Sequence, residues 1–450
     1  MVQRILLLVA ALVIAPRLPL AATLEVGQDG TAAYPSLRTA IDVAQPGDTI
    51  LVHPGIYDET ADPPLAEVAA ESITIRGAGD LPSDVSITGI HLWFHASGEH
   101  HLERLRLFGQ TRVLGGWPPP SFVVRECIVD TRSDSVWCDS VSLTGFAIVQ
   151  DCTFQGISTS YPDCQSGFAL DLRSASQGAL VERCTFSNVH TTGTGAPVTV
   201  VENSVLRDCV FMNNVGGWAG AVTTGHSCCG YPNAAVIENC TFWRNECLNP
   251  GAAVYMEASY VEINHSIFAE TINGKAISTP GGGEILCNDF WMNERGTVSC
   301  PWCYEDGNFE ADPLFCDPEG GDFRIDPNSP CQPGYHDGFS CGLVGAFGDC
   351  AASTVEGTVG EPGTGSPLVI LRNPTTSTAA LLLTTRAPGT VSGSVHATDG
   401  RRVLDVLPRP VGVGEARIEV TMPDDLAGGT YYVKLHTPDG VRTARLVLLR

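Results

Sequence analysis

The stretch Val149-Gln-Asp-Cys152-Thr-Phe154 recurs with substitutions, so that six copies lie between residues 149 and 290. Each copy has an apolar residue, two variable residues, usually a Cys, any residue and then Phe. The other copies cover 181–186, 206–211, 237–242, 263–268 and 285–290, and looser ones cover 102–107 and 124–129. The position of Cys152 therefore repeats at steps of 22 to 32 residues. A period of this size with uneven steps predicts a solenoid whose loops vary while its core does not.

Each copy predicts two short strands joined by a corner. Side chains alternate along a strand, so Cys152 and Phe154 should both point into the core. The residue before the Cys position should take a left-handed backbone, which suits Asn239 well and Asp151 and Asp208 less well. With the Gly-containing strands between copies, each coil has room for about three strands, and a right-handed crossover is strongly preferred. We therefore predict an all-β fold, a right-handed parallel β-helix.

The 17 cysteines fall into two groups. Adjacent rungs lie about 4.8 Å apart with parallel Cα–Cβ bonds, whereas a disulfide needs facing Cβ atoms roughly 3.5–4.5 Å apart. We therefore expect the cysteines of the repeat to be buried and reduced, namely Cys127, Cys152, Cys184, Cys209 and Cys240. The second group crowds the end of the repeat, where loops can face each other, and includes Cys300, Cys303, Cys316, Cys331, Cys341 and Cys350.

Two cysteine sites also have a functional interpretation. Cys300-Pro-Trp-Cys303 has the spacing of a redox motif, but the βαβ context of that motif is missing, which favours a local structural disulfide. Cys228 lies in a loop with His and Tyr that could hold a metal ion, although a disulfide to Cys247 is the favoured interpretation.

The N-terminus, residues 1–22, fits an export signal. Arg4 precedes an apolar run over residues 5–15, and small residues precede Thr23. This run is too short to span a bilayer, which makes a retained membrane anchor the weaker alternative. The mature protein should therefore lie outside the cell or on its surface, without a transmembrane segment.

The remaining chain divides into three parts. Residues 23–350 carry the β-helix, with a capping helix after Ser36 and a Cys-rich closing segment after the last repeat. Residues 351–366 lack apolar periodicity and form a linker. Short strand-like runs separated by turn residues then predict a small Ig-like β-sandwich over residues 367–450.

The formal net charge of −24 at pH 7 limits the choice of partner. Phosphate groups would be repelled, so nucleic acid is not an expected partner. The same charge disfavours an anionic polysaccharide unless cations bridge the two polymers.

The N-terminal part resembles the pectin-lyase-like right-handed parallel β-helix superfamily over about 24–350. The resemblance lies in Asp29-Gly-Thr, Tyr34-Pro, Gly47-Asp-Thr and Pro54-Gly, followed by the Cys-x-Phe copies. It implies either a polysaccharide lyase, with Ca²⁺-binding carboxylates and an Arg base, or a glycoside hydrolase. Outside the lyase case no cofactor is expected.

The tail resembles the C-terminal sorting domain of bacterial type IX secretion substrates over about 367–450. The matching pieces are Asn373-Pro, Asp399-Gly-Arg-Arg-Val, Gly429-Thr-Tyr-Tyr and Arg442 to Leu448. The resemblance implies that the secretion machinery is a partner of the tail, which would then serve in export and anchoring and carry no activity of its own.

Candidate catalytic groups are few. A glycoside hydrolase needs two carboxylates roughly 5–9.5 Å apart, yet the outward position between Cys and Phe holds a carboxylate only at Asp289. Asp171 and Arg173 are the best alternative pair because alternation puts both on one strand face, although a surface ion pair is favoured. A polar strand face is also favoured over a metal site for the histidine cluster of His91, His95, His100 and His101.

Three tryptophans are the strongest candidates for ligand contact. Trp243 and Trp291 each follow a core Phe, so alternation should turn both to solvent, two rungs apart. Grouped exposed aromatic residues often mark a binding site, and Trp218 in a Gly-rich loop would add a third contact. The sequence thus favours a secreted or surface protein that binds extracellular polysaccharide or serves as a structural component, with a polysaccharide lyase or glycoside hydrolase as the alternative.

Overall fold

A computed structural model gives two compact units, Met1–Ala351 and Ala352–Arg450. The structure describes residues 21–60, 65–131, 140–159, 167–175, 177–191, 195–201, 203–224, 235–249, 251–256, 260–336, 338–350, 369–370, 378–385, 387–397, 402–412, 414–423, 426, 429–438 and 440–448. The predicted export signal except its last two residues, the predicted linker and Cys228 lie outside the described residues.

Three parallel sheets make up most of the first unit, and the chain visits them in turn at each coil. In the described residues the first sheet has 12 strands, Thr23–Val26, Thr49–Val52, Thr74–Gly77, Glu99–Glu103, Ser121–Arg125, Ala147–Gln150, Ala179–Glu182, Val205–Arg207, Ala235–Glu238, Val261–Asn264, Gly282–Leu286 and Trp302–Asp306. The second sheet has 10, Gly55–Asp58, Val85–Thr88, Arg106–Gly109, Ile128–Thr131, Thr153–Gln155, Thr185–Ser187, Val210–Met212, Thr241–Trp243, Ile267–Ala269 and Asp289–Trp291. The third sheet has 10, Leu65–Val68, His91–Phe94, Arg112–Gly115, Val141–Thr144, Phe168–Ser174, Ala196–Val200, Ala219–Thr224, Ala252–Tyr255, Lys275–Ser278 and Val298–Ser299. The predicted parallel β-helix is confirmed.

A column of phenylalanine rings fills the core beside the second sheet. The strand register aligns six buried residues, Phe154, Phe186, Phe211, Phe242, Phe268 and Phe290. Neighbouring ring centroids are 4.5 to 5.5 Å apart, and neighbouring ring planes differ by 1° to 26°. Burying each ring contributes about 1.5–3 kcal/mol to the stability of the fold. Stacking of identical residues on successive rungs therefore holds the coils together.

The five repeat cysteines are buried and free, as predicted. Cys184 Sγ lies 3.4 Å from the carbonyl oxygen of Glu182 and 3.5 Å from that of Val149, one rung earlier. Ser266 takes the same position after Cys240, and its hydroxyl donates to the carbonyl of Asn264 at 3.0 Å. The position therefore holds a small side chain whose S–H or O–H group donates a hydrogen bond to a backbone carbonyl at the corner.

The corner before each of these positions has a left-handed backbone. The φ angle is 56° at Asp151, 56° at Asp208 and 52° at Asn239, which confirms the prediction. Arg183 and His265 adopt the same conformation with φ of 53° and 52°. The left-handed conformation costs roughly 1–2 kcal/mol for each such residue. Since it occurs at the corner with different residue types, the stacking of the coils must enforce it.

A short helix, Leu37–Ile41, lies against the first strands of the β-helix. The hydroxyl of Ser36 accepts the N–H of Thr39 at 3.3 Å, and Glu59 Oε1 accepts the N–H of Leu37 at 2.6 Å. Its apolar side chains are buried, so it covers the open end of the first coil as predicted. A 3₁₀ turn spans Pro82–Asp84. Among the described residues, neither helix has the length and apolar content to cross a membrane.

The last strand of the first sheet, Trp302–Asp306, has a charged residue at a position that is apolar in the preceding strand. Glu305 stands opposite Ile285, which is fully buried one rung earlier. A charged residue at an inward position discourages a further strand from pairing. The predicted disulfide between Cys300 and Cys303 is present, and both residues pack against the core.

Residues 307–350 fold back over the outer face of the second sheet, and we call them the closing segment. Its short strands are Phe315–Asp317 with Asp322–Ile325, and Gly334–His336 with Phe339–Cys341. The disulfides Cys287–Cys341 and Cys316–Cys350 hold it. It buries four outward positions of the second sheet, Val210, Thr241, Ile267 and Asp289. The repeat predicted their outward direction but not this cover, because a covering segment has no repeat pattern.

One predicted disulfide is also wrong. Cys247 is free and buried in a small two-stranded sheet of Val215–Gly216 and Glu246–Cys247. Burial raises the pKa of its thiol to about 12, which keeps the thiol protonated and unreactive. Cys331 of the closing segment is likewise free and buried.

The described part of the second unit consists of antiparallel strands in two sheets. One sheet contains Val369–Ile370, Thr378–Thr385 and Gly414–Thr421, and the other contains Gly389–Ala397, Arg402–Val411, Gly429–Thr437 and Gly440–Leu448. Leu381 and Ile418 of the first sheet share one buried core with Val395 and Val433 of the second. Two sheets packed through a common core form a sandwich.

Candidate functional site

The third sheet turns polar side chains outward in register on four neighbouring strands. Asp171 pairs with Thr199, Thr199 with Thr223, and Thr223 with Tyr255. Trp218 directly precedes one of these strands, is 41 % exposed, and has its ring 5.8 Å from that of Tyr255. Thr199 and Thr223 are buried, so the accessible part of this face is the aromatic pair.

Asp171 and Arg173 form a two-pronged ion pair on the same strand. Arg173 Nε lies 2.9 Å from Asp171 Oδ1, and Nη2 lies 2.9 Å from Oδ2. The guanidinium also lies 4.5 Å from the ring centroid of Phe168. A carboxylate held in this way is a poor base for a substrate proton. The geometry therefore matches the favoured interpretation of an ion pair on a strand face.

Trp243 is 1 % exposed, so the prediction that it faces solvent is wrong. Its side chain does point outward from the second sheet, but the closing segment covers it. The ring centroid of Phe323 lies 5.5 Å away, and the guanidinium of Arg244 lies 4.2 Å from the Trp243 ring. Trp291 stands two rungs further on, separated from Trp243 by Ala269, and is half-buried.

A groove of about 380 Å³ runs between the second sheet and the closing segment. The sheet contributes both tryptophans at its floor, and the opposite wall comes from the closing segment. Its lining residues are Trp243, Ala269, Glu270, Trp291, Met292, Asp312, Pro313, Leu314, Phe315 and Pro318. Met292 and Leu314 are exposed large apolar side chains at its edge. The sequence did not predict the wall that the closing segment contributes, because only its content of Pro and apolar residues distinguishes that segment.

Two carboxylates lie beside this apolar groove. Glu270 Oε2 accepts Arg244 Nε at 2.6 Å, and that hydrogen bond raises the pKa of Arg244. Asp312 Oδ1 accepts the N–H of Leu314 at 2.9 Å. Carboxylate oxygens have further lone pairs, so both groups can accept hydrogen bonds from a hydroxylated ligand that lies on the tryptophan floor.

Asp289 is a buried acid beneath the closing segment. Burial raises its pKa to about 7. Its Oδ1 accepts the N–H of Ala311 at 3.0 Å, and its Oδ2 lies 3.2 Å from Cys331 Sγ. Burial and the neighbouring carboxylate raise the pKa of Cys331, so the thiol remains the hydrogen-bond donor. These contacts join Asp289 to the closing segment. Because its side chain is fully buried, it cannot contact a substrate.

The histidine cluster is divided among separate contacts. His100 is buried, its Nδ1 accepts the N–H of Ile73 at 3.1 Å, and burial lowers its pKa. His101 Nε2 lies 3.0 Å from Glu99 Oε1, while its Nδ1 lies 3.6 Å from Glu103 Oε1, and these partners raise its pKa. In the described part of the chain, no three His, Cys, Asp or Glu side chains are grouped to hold a metal ion.

The first sheet carries a ladder of alternating charges that the sequence analysis missed. The register aligns Arg76, Glu103, Arg125, Gln150, Glu182, Arg207, Glu238 and Asn264 on its outer face. Glu182 at its centre is buried and lies 2.6 Å from Arg207 and 2.8 Å from Gln150. The signal was present, since each member from Glu103 onward directly follows the first apolar residue of a repeat copy.

One of the comparisons with known proteins, the family model, agrees with the sheets. Residues 134–296 match a family model described as "Right handed beta helix region". This match and the three parallel sheets define a right-handed β-helix fold. Among solved structures, a chain described as "Geobacillus virus E2 - ORF18" aligns with 12 % identity and a TM-score of 0.30, covering 92 % of this chain and 82 % of that chain. None of the curated proteins matches.

Proposed function

We propose that the protein is an extracellular β-helix protein that binds a glycan in the groove between the second sheet and the closing segment. The supporting observation is that Trp291, Met292 and Leu314 offer accessible apolar surface while Glu270 and Asp312 lie beside them. A pyranose ring presents C–H groups to an aromatic face and hydroxyls to carboxylates. The groove also has the size of a small-molecule site, roughly 300–1,000 Å³.

Binding fits this protein better than hydrolysis. Hydrolysis of a glycosidic bond needs one carboxyl group to donate a proton and a second to act as base or nucleophile. Glu270 is held by Arg244, and Asp171 is held by Arg173. Asp289 has the raised pKa of a general acid but lies under the closing segment, out of reach of a polymer.

Affinity electrophoresis tests the groove. The full chain should be retarded in gels that contain a neutral polysaccharide from a panel of β-glucan, xylan and galactomannan. Trp291→Ala should raise the apparent dissociation constant at least about threefold, because one aromatic contact is lost. Trp117→Ala is the matched control, since Trp117 is 84 % exposed and lies elsewhere. Equal retardation of wild type and Trp291→Ala in every gel would contradict the groove as the site.

We further propose that residues 367–450 act as a sorting and anchoring domain for type IX secretion. The support is its resemblance to such domains and its separate compact core. A chain that ends at residue 351 should keep the thermal transition of the β-helix but lose surface retention in a bacterium with this secretion system. Unchanged surface retention of the shortened chain would contradict the proposal.

A further inference from the structure

Three exposed aromatic side chains lie together at the end of the first sheet. Tyr260 is 40 % exposed, Trp302 is 78 % exposed and Tyr304 is 60 % exposed. Single exposed apolar residues are normal on a protein surface, but a group on neighbouring rungs often marks a binding site. This group is distinct from the groove and from the three tryptophans that the sequence singled out.

Gly282 separates Tyr260 from Trp302. Trp302 stands opposite Gly282, and the pairing of Val261 with Gly283 places Tyr260 on the other side. A Cβ atom at Gly282 would lie 3.2 Å from the carbonyl oxygen of Trp302, 3.8 Å from Trp302 Cβ and 3.8 Å from Tyr260 Cδ2. Two rungs of about 4.8 Å each separate the two aromatic residues. The missing side chain therefore leaves a narrow slot, with carbon atoms of Tyr260 and Trp302 at contact distance on either side.

The slot has the width of one sugar ring. A ring held between two aromatic faces needs roughly 3.5–4.0 Å between carbon atoms on each side, and the Cβ position of Gly282 lies 3.8 Å from a carbon atom of each neighbour. The Cys300–Cys303 disulfide includes Trp302 in its loop and restrains the backbone beneath that ring. The slot is therefore formed before a ligand arrives, which reduces the entropy lost on binding.

Carboxylates lie beside the slot, two residues further along the same strands. Glu262 stands opposite Glu284, and Glu284 stands opposite Tyr304. Burial and then the charges of Glu284 and Glu262 raise the pKa of Tyr260. The Tyr304 hydroxyl donates to Asp306 Oδ2 at 2.9 Å. These acceptors can take hydrogen bonds from the hydroxyls of a ligand, which a purely apolar ligand lacks.

We infer that Tyr260, Gly282 and Trp302 form a second saccharide site, which holds one uncharged pyranose unit of a glycan between the two aromatic rings. This inference rests on the proposed glycan binding. The hydroxyls of the sugar donate to Glu262 and Glu284, while its C–H faces pack on the rings. The acid rim repels uronic acids and sulfated sugars, so the slot selects a neutral glycan.

Isothermal titration calorimetry of the full chain with cellohexaose, xylohexaose and mannohexaose tests the slot. At least one of these neutral hexasaccharides should bind with two equivalents per chain. Trp302→Ala removes an exposed ring, Gly282→Leu fills the slot, and each should abolish one of the two equivalents. Trp302→Phe should retain both, because it keeps an aromatic face, and Trp117→Ala should behave as wild type. A thermal transition close to that of the wild type shows that each variant is folded.

The same titrations separate the failure of the slot from that of the groove. If Trp291→Ala abolishes all binding while Trp302→Ala and Gly282→Leu bind as the wild type, the slot is overturned and the groove stands. If tetramethylammonium chloride binds at these rings and no hexasaccharide does, the slot is a cation site and the inference is wrong. A wild type that binds none of the three hexasaccharides contradicts both sites.

Discussion

Replacing Phe211 by Ala should lower the free energy of unfolding of the β-helix by about 3–5 kcal/mol. The ring is fully buried, with Phe186 at 4.9 Å and Phe242 at 4.8 Å between centroids and planes within 5° and 4°. Removing it opens a cavity in the middle of the column, and the rungs on either side cannot collapse because their backbones are paired in register. Urea titration followed by circular dichroism measures the loss.

Phe347→Ala is the matched control for this substitution. Phe347 is partly exposed at the end of the closing segment, so its loss should cost less than about 1 kcal/mol. Phe211→Leu should fall between the two, because it keeps part of the volume. A cost below about 1 kcal/mol for Phe211→Ala would mean that the ring column does not hold the coils together.

The second large effect is a loss of stability as the pH rises, caused by Asp289. Its pKa is about 7 in the folded chain against an ordinary value of 3.8. Between these values the folded chain keeps the proton that the unfolded chain releases, so stability falls with rising pH. The stabilisation is complete below about pH 4 and is lost once the pH passes about 7. The shift corresponds to roughly 4 kcal/mol at most.

Asp289→Asn should remove this pH dependence. The amide oxygen can still accept the N–H of Ala311, and no charge is buried, so at pH 8 the variant should be more stable than the wild type by roughly 2–4 kcal/mol. Glu310→Gln, an exposed acid of the same segment, should leave the profile unchanged. Chemical denaturation at pH 4, 6 and 8 measures the three chains. Parallel profiles for wild type and Asp289→Asn would show that Asp289 is not the titrating group.

The repeat was predictable because the same residue types recur at the core positions of each copy. Cys152 and Phe154 recur at one spacing, and stacking in register follows from that repetition. The capping helix was predictable from local spacing after Ser36. Each of these features depends on residues close in sequence or on a strict repeat, and both leave a pattern that can be read without a structure.

The covered face of the second sheet was not predictable in the same way. Trp243 was expected in solvent because alternation fixes the direction of a side chain but not what lies beyond it. The closing segment packs there from a distant part of the chain. The outward position gives no consistent signal, because the segment covers polar Thr241 and Asp289 as well as apolar Val210 and Ile267.

Mass spectrometry of a neutral hexasaccharide recovered after incubation with the protein distinguishes binding from cleavage. We expect the hexasaccharide to bind and to return with its length and mass unchanged, with or without Ca²⁺. Shortened products, or products with an unsaturated sugar at one end, would contradict it and make the protein a glycoside hydrolase or a polysaccharide lyase.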